Sequence, residues 1–413
     1  MNEPATIRAE LLDCVQVNLA VLADRWHGTG THLRLGASLE LRPRPGADGL
    51  PTVEPAVREH LAEATDRLGV GWREPGAGHQ PATPTTPDTG PLRHTDGAGL
   101  VAEVTEHGLC YVVADAYHLR WVPYHGQRHM EHSFLVEPDG SGFAVTDAYH
   151  NDTPWGAARP GRWTLTGAEL AAAVPDGAVV AGPVPGELPA APQPEYAVDA
   201  ATVDAYVAAY RAYPDRVVAL DALTLQTWLL ARQRRLHAAY RAAHRGGAET
   251  AAEAAQLARW DRVVEQTYLA ARRVQRGRPE PTGLLATFAE ALDTDRSVFA
   301  AAPARPAAPA AVAGTVRPEL SAEVTEVVRS VLQLDDTGPG LTATTALDTV
   351  PSFSSFRMVE IVDRLEQRFR IEFHPDDLVP ERLHRVADLC EIVLRARPRQ
   401  EAGATPSGGS HAA

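Results

Sequence analysis

Cys14, His132 and Asp147 are three residues of this chain whose types and order could together do chemistry. A thiol becomes a nucleophile when a base takes its proton, and an imidazole does this best when a carboxylate holds its other ring nitrogen. Cys14 stands where a helix is expected to begin, running through Leu22 with Val17, Val21 and Leu22 inward. Free N–H groups at such a start favour thiolate over thiol and, with an imidazolium nearby, bring a cysteine pKa from about 8.5 to roughly 3.5–7.5. His132 opens the strand-like run Ser133-Phe134-Leu135-Val136-Glu137, and Asp147 closes Phe143-Ala144-Val145-Thr146 beyond the turn Pro138-Asp139-Gly140-Ser141-Gly142. That is a hairpin signature, and a hairpin brings its two open ends together. The carboxylate would then orient the imidazole, and the imidazole would take the thiol proton, the general form of a Cys-His-Asp triad. The plainer alternative makes Cys14 a core thiol.

Ser355 is the other candidate. It precedes Phe356, Val359, Val362 (or Ile361) and Leu365, which repeat at helical spacing and bury one face, while Glu360, Asp363, Arg364 and Gln367 face water. A serine at the mouth of that helix is exposed to modification; alternatively Ser354 and Ser355 only cap it. Other residues fall to structural readings. His118, His125, His129 and His132 are not read as a metal site, because residues three apart on a strand face opposite sides. Cys110 lies inside an apolar strand and Cys390 beside Leu389 and Ile392, so both read as core. Gly28-Thr29-Gly30 lacks the further glycine and strand context of a phosphate loop.

The elements that would position these residues suggest several units within 413 residues. Residues 1–190 place helices, at 14–22 and 53–68, before strands at Leu109–Ala114 and in the hairpin, an α+β order. Gln80–Leu92 is a Pro/Thr loop. Residues 195–300 read as an all-α segment, in which 13 Arg against six acids between 211 and 278 leave a local excess of +7. Those arginines are either solvated helix faces or a docking face for the segment 315–398, whose ten Arg and 15 acids sum to −5. Residues 301–315 form an Ala/Pro tether, 316–398 a further helical domain, and 399–413 a disordered tail.

Composition narrows the function classes. The net charge is −14 and all 39 basic side chains are Arg, which speaks against nucleic-acid binding and removes lysine Schiff-base or lysine-base chemistry. Three scattered cysteines form no disulfide or zinc spacing, so a reducing cytoplasm is expected. The N-terminus lacks a charged-then-apolar leader pattern and no apolar run approaches a span, so no membrane partner is expected either.

Two stretches resemble known families. Ser354 to Phe369, with Leu365-Glu366-x-x-Phe369, resembles the serine loop and second helix of acyl carrier proteins, and the likeness extends over about residues 316 to 396. It implies a four-helix carrier domain with 4'-phosphopantetheine attached to Ser355 by a phosphopantetheinyl transferase. The family usually has Asp before that serine; here Ser354 stands there. Cys14, then Cys110-Tyr111-Val112-Val113-Ala114-Asp115-Ala116-Tyr117, then His129-Met130-Glu131-His132-Ser133-Phe134-Leu135-Val136, then Val145-Thr146-Asp147, resemble the butirosin-biosynthesis protein H family. That family has a papain-like cysteine fold, is similar to double-glycine leader peptidases, and its founding member moves an aminoacyl group from a carrier onto an amine. The resemblance implies Cys14 as nucleophile, His132 as base and Asp147 as orienting acid, and includes an Asp115-x-Tyr117 pair without an assigned role. Papain-like peptidases usually carry Gln six residues before the cysteine, where Arg8 stands here.

Together these readings give the expectation of a papain-like cysteine domain, a helical domain, a tether and a carrier domain. The expected activity is transfer of an acyl or aminoacyl group from a phosphopantetheine thioester, through acyl-Cys14, to a small-molecule amine in secondary-metabolite biosynthesis. An acyl-loading enzyme or a partner carrier protein would supply the donor. The same triad would serve a thioesterase or cyclase, and a non-catalytic carrier or scaffold is the alternative from another class.

Overall fold

The computed structural model describes residues 7–46, 48–73 and 91–300, then 318–332, 355–371 and 385–396 together with the single positions 334, 341, 342, 345, 347, 350, 353 and 373. The expected tether 301–315 and tail 399–413, Ser354, and the loop 80–92 except its last two residues lie outside the described residues. The chain divides into two compact units, Met1–Pro306 and Ala307–Ala413.

The first unit is a mixed fold of several helices and a modest sheet. Six strands, β1 (Arg93–Thr95), β2 (Cys110–Asp115), β3 (Glu131–Asp139), β4 (Gly142–Asp147), β5 (Gly161–Leu165) and β6 (Ala178–Ala181), lie in the order β5-β4-β3-β2-β6-β1 with every neighbour antiparallel. β3 and β4 are joined by Gly140-Ser141, closed by the Asp139–Gly142 pair, with Gly140 at φ 62° as a tight hairpin turn requires. Residues 132–136 are buried without alternation, so both faces of β3 are covered.

Around the sheet stand α1 (Gln16–His27), α2 (Val57–Leu68), α3 (Gly97–His107) and α4 (Gly167–Ala172), followed by α5 (Ala200–Ala212), α6 (Arg216–His244), α7 (Ala251–Gln275) and α8 (Leu284–Phe299). Helix α1 begins two residues after Cys14 rather than at it, because Asp13 accepts from the N–H groups of Val15 (2.8 Å) and Gln16 (2.7 Å) and sets the helix start there. Helix α2 likewise starts at Val57, four residues after the expected Val53.

The segment 195–300, expected as a separate helical domain, belongs to the same compact unit as the sheet. The 29-residue α6 explains this, since Leu236 and Ala239 join the core of the sheet while Leu220, Leu223 and Leu230 join a second core with Trp260 and Phe288. Its arginines are largely engaged inside the unit. Arg234 is fully buried and pairs with Asp295 at 2.8 Å, Arg235 pairs with Asp261, and Arg241 and Arg245 share Glu253 at 2.7 Å each. Much of the +7 excess therefore holds helices to one another, and buried Arg234 is removed from any exposed docking face, while Arg235 stays partly exposed.

The second unit contains, among its described residues, α9 (Pro318–Leu332), α10 (Ser355–Phe369) and α11 (Val386–Ala396) around one core. On α10 the buried positions are Met358, Ile361, Val362 and Leu365, with Phe369 partly buried. The apolar stripe runs through Met358 and Ile361, while Val359, expected inward, is only half-buried. Cys390 is buried in α11 against this core, as its apolar neighbours suggested.

Candidate functional site

The hairpin sets the first contact of the site. Leu135 of β3 lies opposite Thr146 of β4, and continuing that register puts Asp147 opposite Phe134, with His132 the next residue of β3 on the same face. Diagonal neighbours on one face are within reach of long side chains, and His132 Nε2 donates to Asp147 Oδ2 at 2.7 Å. Both side chains are buried. Asp147 has further donors, since the Trp121 indole N–H reaches Oδ2 at 3.1 Å and the Tyr149 backbone N–H reaches Oδ1 at 2.9 Å. Tyr149 also packs edge-on to the His132 ring, centroids 5.2 Å apart. A carboxylate only accepts, so a neutral ring carries its proton on Nε2 and presents a lone pair at Nδ1. That Nδ1 is buried and has no hydrogen-bond partner among the described residues.

Cys14 is brought to the start of β3 by backbone. Its carbonyl accepts from the Ser133 hydroxyl at 2.6 Å, and its thiol donates to the Glu131 carbonyl at 3.4 Å. The residues on either side of His132 thus both hold Cys14, while the thiol and the ring are not hydrogen-bonded to each other. Asn18, one turn further along α1, donates to the Ser133 carbonyl (2.9 Å) and hydroxyl (3.0 Å) and accepts from the Ala148 N–H at 3.1 Å. Tyr111 of β2 adds a hydroxyl bond to the Val15 carbonyl at 2.9 Å.

The electrostatics differ from the expectation of a lowered thiol pKa. Burial, then the charges of Asp13, Glu54 and Asp147, push the Cys14 thiol well above its ordinary value. Burial is the largest cause, and Asp13 adds to it with its own negative charge while taking up the N–H groups of Val15 and Gln16 that would otherwise face the thiol. A thiol in this setting is nucleophilic only while a base removes its proton.

Sequence reasoning did not find the supporting residues. Asn18 leaves a trace, a polar side chain at i+4 from Cys14 on an otherwise apolar helix face. Arg232 leaves none: from α6 it reaches the carbonyls of Ala9 (3.3 Å), Leu12 and His150 (2.8 Å), bracing the segment before Cys14 against the chain after Asp147. Arg8, six residues before Cys14, pairs at the surface with Glu10 at 3.0 Å. The Asp115-x-Tyr117 pair has a local role, since Asp115 accepts from the Tyr117 N–H at 3.0 Å and Tyr117 stacks on His129 at 4.2 Å. Burial disfavours the Asp115 charge, yet the His129 hydrogen bond and two backbone N–H bonds prevail and hold its carboxyl below the usual carboxylate range. Cys110 is buried in β2, and burial pushes its thiol up to about 12.

Ser355 is the first residue of α10. Comparison with protein families and with curated proteins finds no match for this chain.

Proposed function

We propose that the first unit is a cysteine-dependent acyltransferase that takes an acyl or aminoacyl group from a carrier-bound thioester and gives it to an amine. The observation that carries this reading is the buried hydrogen bond from His132 Nε2 to Asp147 Oδ2, at 2.7 Å, next to a strand start whose flanking residues Glu131 and Ser133 both hold Cys14. His132 Nδ1 would accept the Cys14 proton once the thiol turns from the Glu131 carbonyl. Such contacts commonly tighten only when substrate is bound. The Cys14 sulfur would attack the thioester carbon, and the Cys14 backbone N–H would donate to the developing oxyanion. Collapse breaks the donor C–S bond, and His132 returns its proton to the departing thiol, leaving acyl-Cys14. The amine then attacks the acyl carbon, His132 receives the proton the amine loses, and the Cys14 sulfur leaves and recovers that proton. Asp147 stabilises the imidazolium in both halves.

The resemblance of residues 316–396 to carrier proteins supports a 4'-phosphopantetheine arm on Ser355, which would supply the thioester that presents the acyl group. Its attachment point at the first residue of α10 suits a helix-mouth modification. The donor is this arm or that of a separate carrier.

The test is intact mass after incubation with a loaded acyl carrier. One acyl group should appear on wild-type protein, map to Cys14, and be released by an amine acceptor. Cys14→Ala should abolish it, His132→Ala should lower its rate about as far, and Asp147→Asn should lower it less, because nucleophile and base act as a unit while the orienting acid is partly replaceable. A separate incubation with coenzyme A and a phosphopantetheinyl transferase should add one phosphopantetheine that Ser355→Ala removes. Turnover in Cys14→Ala equal to wild type would falsify the cysteine mechanism and leave a carrier or scaffold protein.

A further inference from the structure

Behind the face of β2 that meets His132 lies a second cluster of ligating side chains. Asp115 ends β2, His118 follows in the 3₁₀ turn Ala116–His118, and Asp176 stands in the turn before β6. One atom from each, a carboxylate oxygen of Asp115 and of Asp176 and a ring nitrogen of His118, lie within 4.8 Å of one another. The His118 Nε2 to Asp176 Oδ2 distance is 2.8 Å. Asp115 is fixed before any ligand arrives: Oδ1 accepts the N–H groups of Tyr117 (3.0 Å) and Met130 (3.2 Å), and Oδ2 accepts His129 Nδ1 at 2.6 Å. His129 is in turn held by its stack on Tyr117. Asp115 and Asp176 line one wall of an open cleft of about 860 Å³, together with His94, Asp96 and Glu131.

The geometry points to a divalent transition-metal site formed by Asp115, His118 and Asp176, with zinc the ion the donors suit. One imidazole and two carboxylates form the mixed nitrogen and oxygen set of zinc, whereas calcium takes six to eight oxygens and magnesium keeps most of its water. Zinc bonds of about 2.0–2.1 Å at tetrahedral angles need ligand atoms roughly 3.3 Å apart. Asp176 is exposed and can give that spacing by a rotation of its side chain, without moving β2. His129 on Asp115 is the outer hydrogen bond that orients a metal carboxylate. A fourth position would be left for water, with two of the three ligands, Asp115 and Asp176, lining the cleft. The metal would tie the end of β2 to the turn before β6, beside the Asp115–Glu131 register pair, and so brace the strand start that holds Cys14.

The test uses the full chain free of any histidine tag. Zinc should raise the melting temperature and remain at one equivalent after dialysis, and cobalt in its place should give the visible absorption of a four-coordinate ion. His118→Ala and Asp176→Ala should each lose the equivalent, the absorption and the thermal shift, while His125→Ala keeps all three. Asp176 is exposed, so its variant folds and remains a fair comparison even if His118→Ala does not. Absence of stoichiometric retention by wild type, or equal retention by the Asp176→Ala protein, overturns the site. None of these readouts depends on acyl transfer.

Discussion

The Ser133 hydroxyl donates to the Cys14 carbonyl at 2.6 Å, so the residue after His132 grips the backbone of the residue whose thiol His132 would serve. Because side chains alternate along β3, Ser133 can hold Cys14 from one face while His132 turns to Asp147 on the other. The catalytic order of the proposal therefore depends on polar contacts made by residues that do no chemistry.

Asn18 is the strongest of these, with hydrogen bonds to Ser133 and to the Ala148 N–H in a fully buried setting. Asn18→Ala leaves the Ala148 N–H without its acceptor and should cost about 1–3 kcal/mol. Chemical denaturation measures that loss. Because the variant also frees Ser133 from α1, transfer by the folded fraction should fall by about tenfold to a hundredfold. A stability loss with unchanged transfer would reduce Asn18 to a core contact.

The raised Cys14 pKa gives a reactivity profile. A thiol held well above its ordinary value is protonated at neutral pH, so iodoacetamide labelling of Cys14 should be slow at pH 7 and still rising beyond pH 9. Asp13→Asn removes a neighbouring charge while asparagine preserves the helix cap, and should move the labelling curve to lower pH. A plateau already reached below pH 7 in wild-type protein would instead mean a standing thiolate–imidazolium pair.

How far the sequence was legible follows from the range of the forces involved. The β3–β4 hairpin was readable because Gly140 and the flanking apolar runs are local signals, and with the hairpin came the meeting of His132 and Asp147. The start of α1 was misplaced by two residues, since a capping Asp13 competes with Cys14 for the same position and propensity alone does not rank them. The direction of the thiol pKa was misread for a larger reason, since burial, its first cause, is set by distant packing, and the Asp13 charge only adds to it. The role of α6 was not legible at all: its periodicity identifies a helix, but whether Arg232 and Arg234 face water or carbonyls and carboxylates is decided by segments 60 or more residues away.

Arg234 and Asp295 allow that last point to be checked. Asp295 also accepts from the Trp260 indole (2.9 Å) and Gln256 (2.7 Å), and the guanidinium lies 4.7 Å from the Trp260 ring centre. Removing one partner of such a buried pair typically costs about 3–5 kcal/mol, because the other charge is left without compensation. Arg234→Ala should therefore lose stability on that scale in urea denaturation. The exposed position Arg211 serves as comparison, and Arg211→Ala should stay within about 0.5 kcal/mol of wild type.

His237 makes the stability of the first unit depend on pH. It is buried on α6, its Nδ1 donates to the Gly36 carbonyl at 2.7 Å, and its Nε2 has no partner among the described residues. Burial pulls its pKa down to about 4, although the Gly36 bond acts the other way. The unfolded chain, with an ordinary value near 6.5, binds this proton first as the pH falls. The contribution of neutral His237 is therefore complete above pH 6.5 and is lost between there and about pH 4, at no more than about 1.4 kcal/mol per pH unit for one proton. Denaturation midpoints measured from pH 7 to pH 4 should fall accordingly. His237→Gln keeps a donor for Gly36 and does not titrate, so its slope over this window should be shallower by up to one proton. Equal slopes for the two proteins would place the acid sensitivity in other groups.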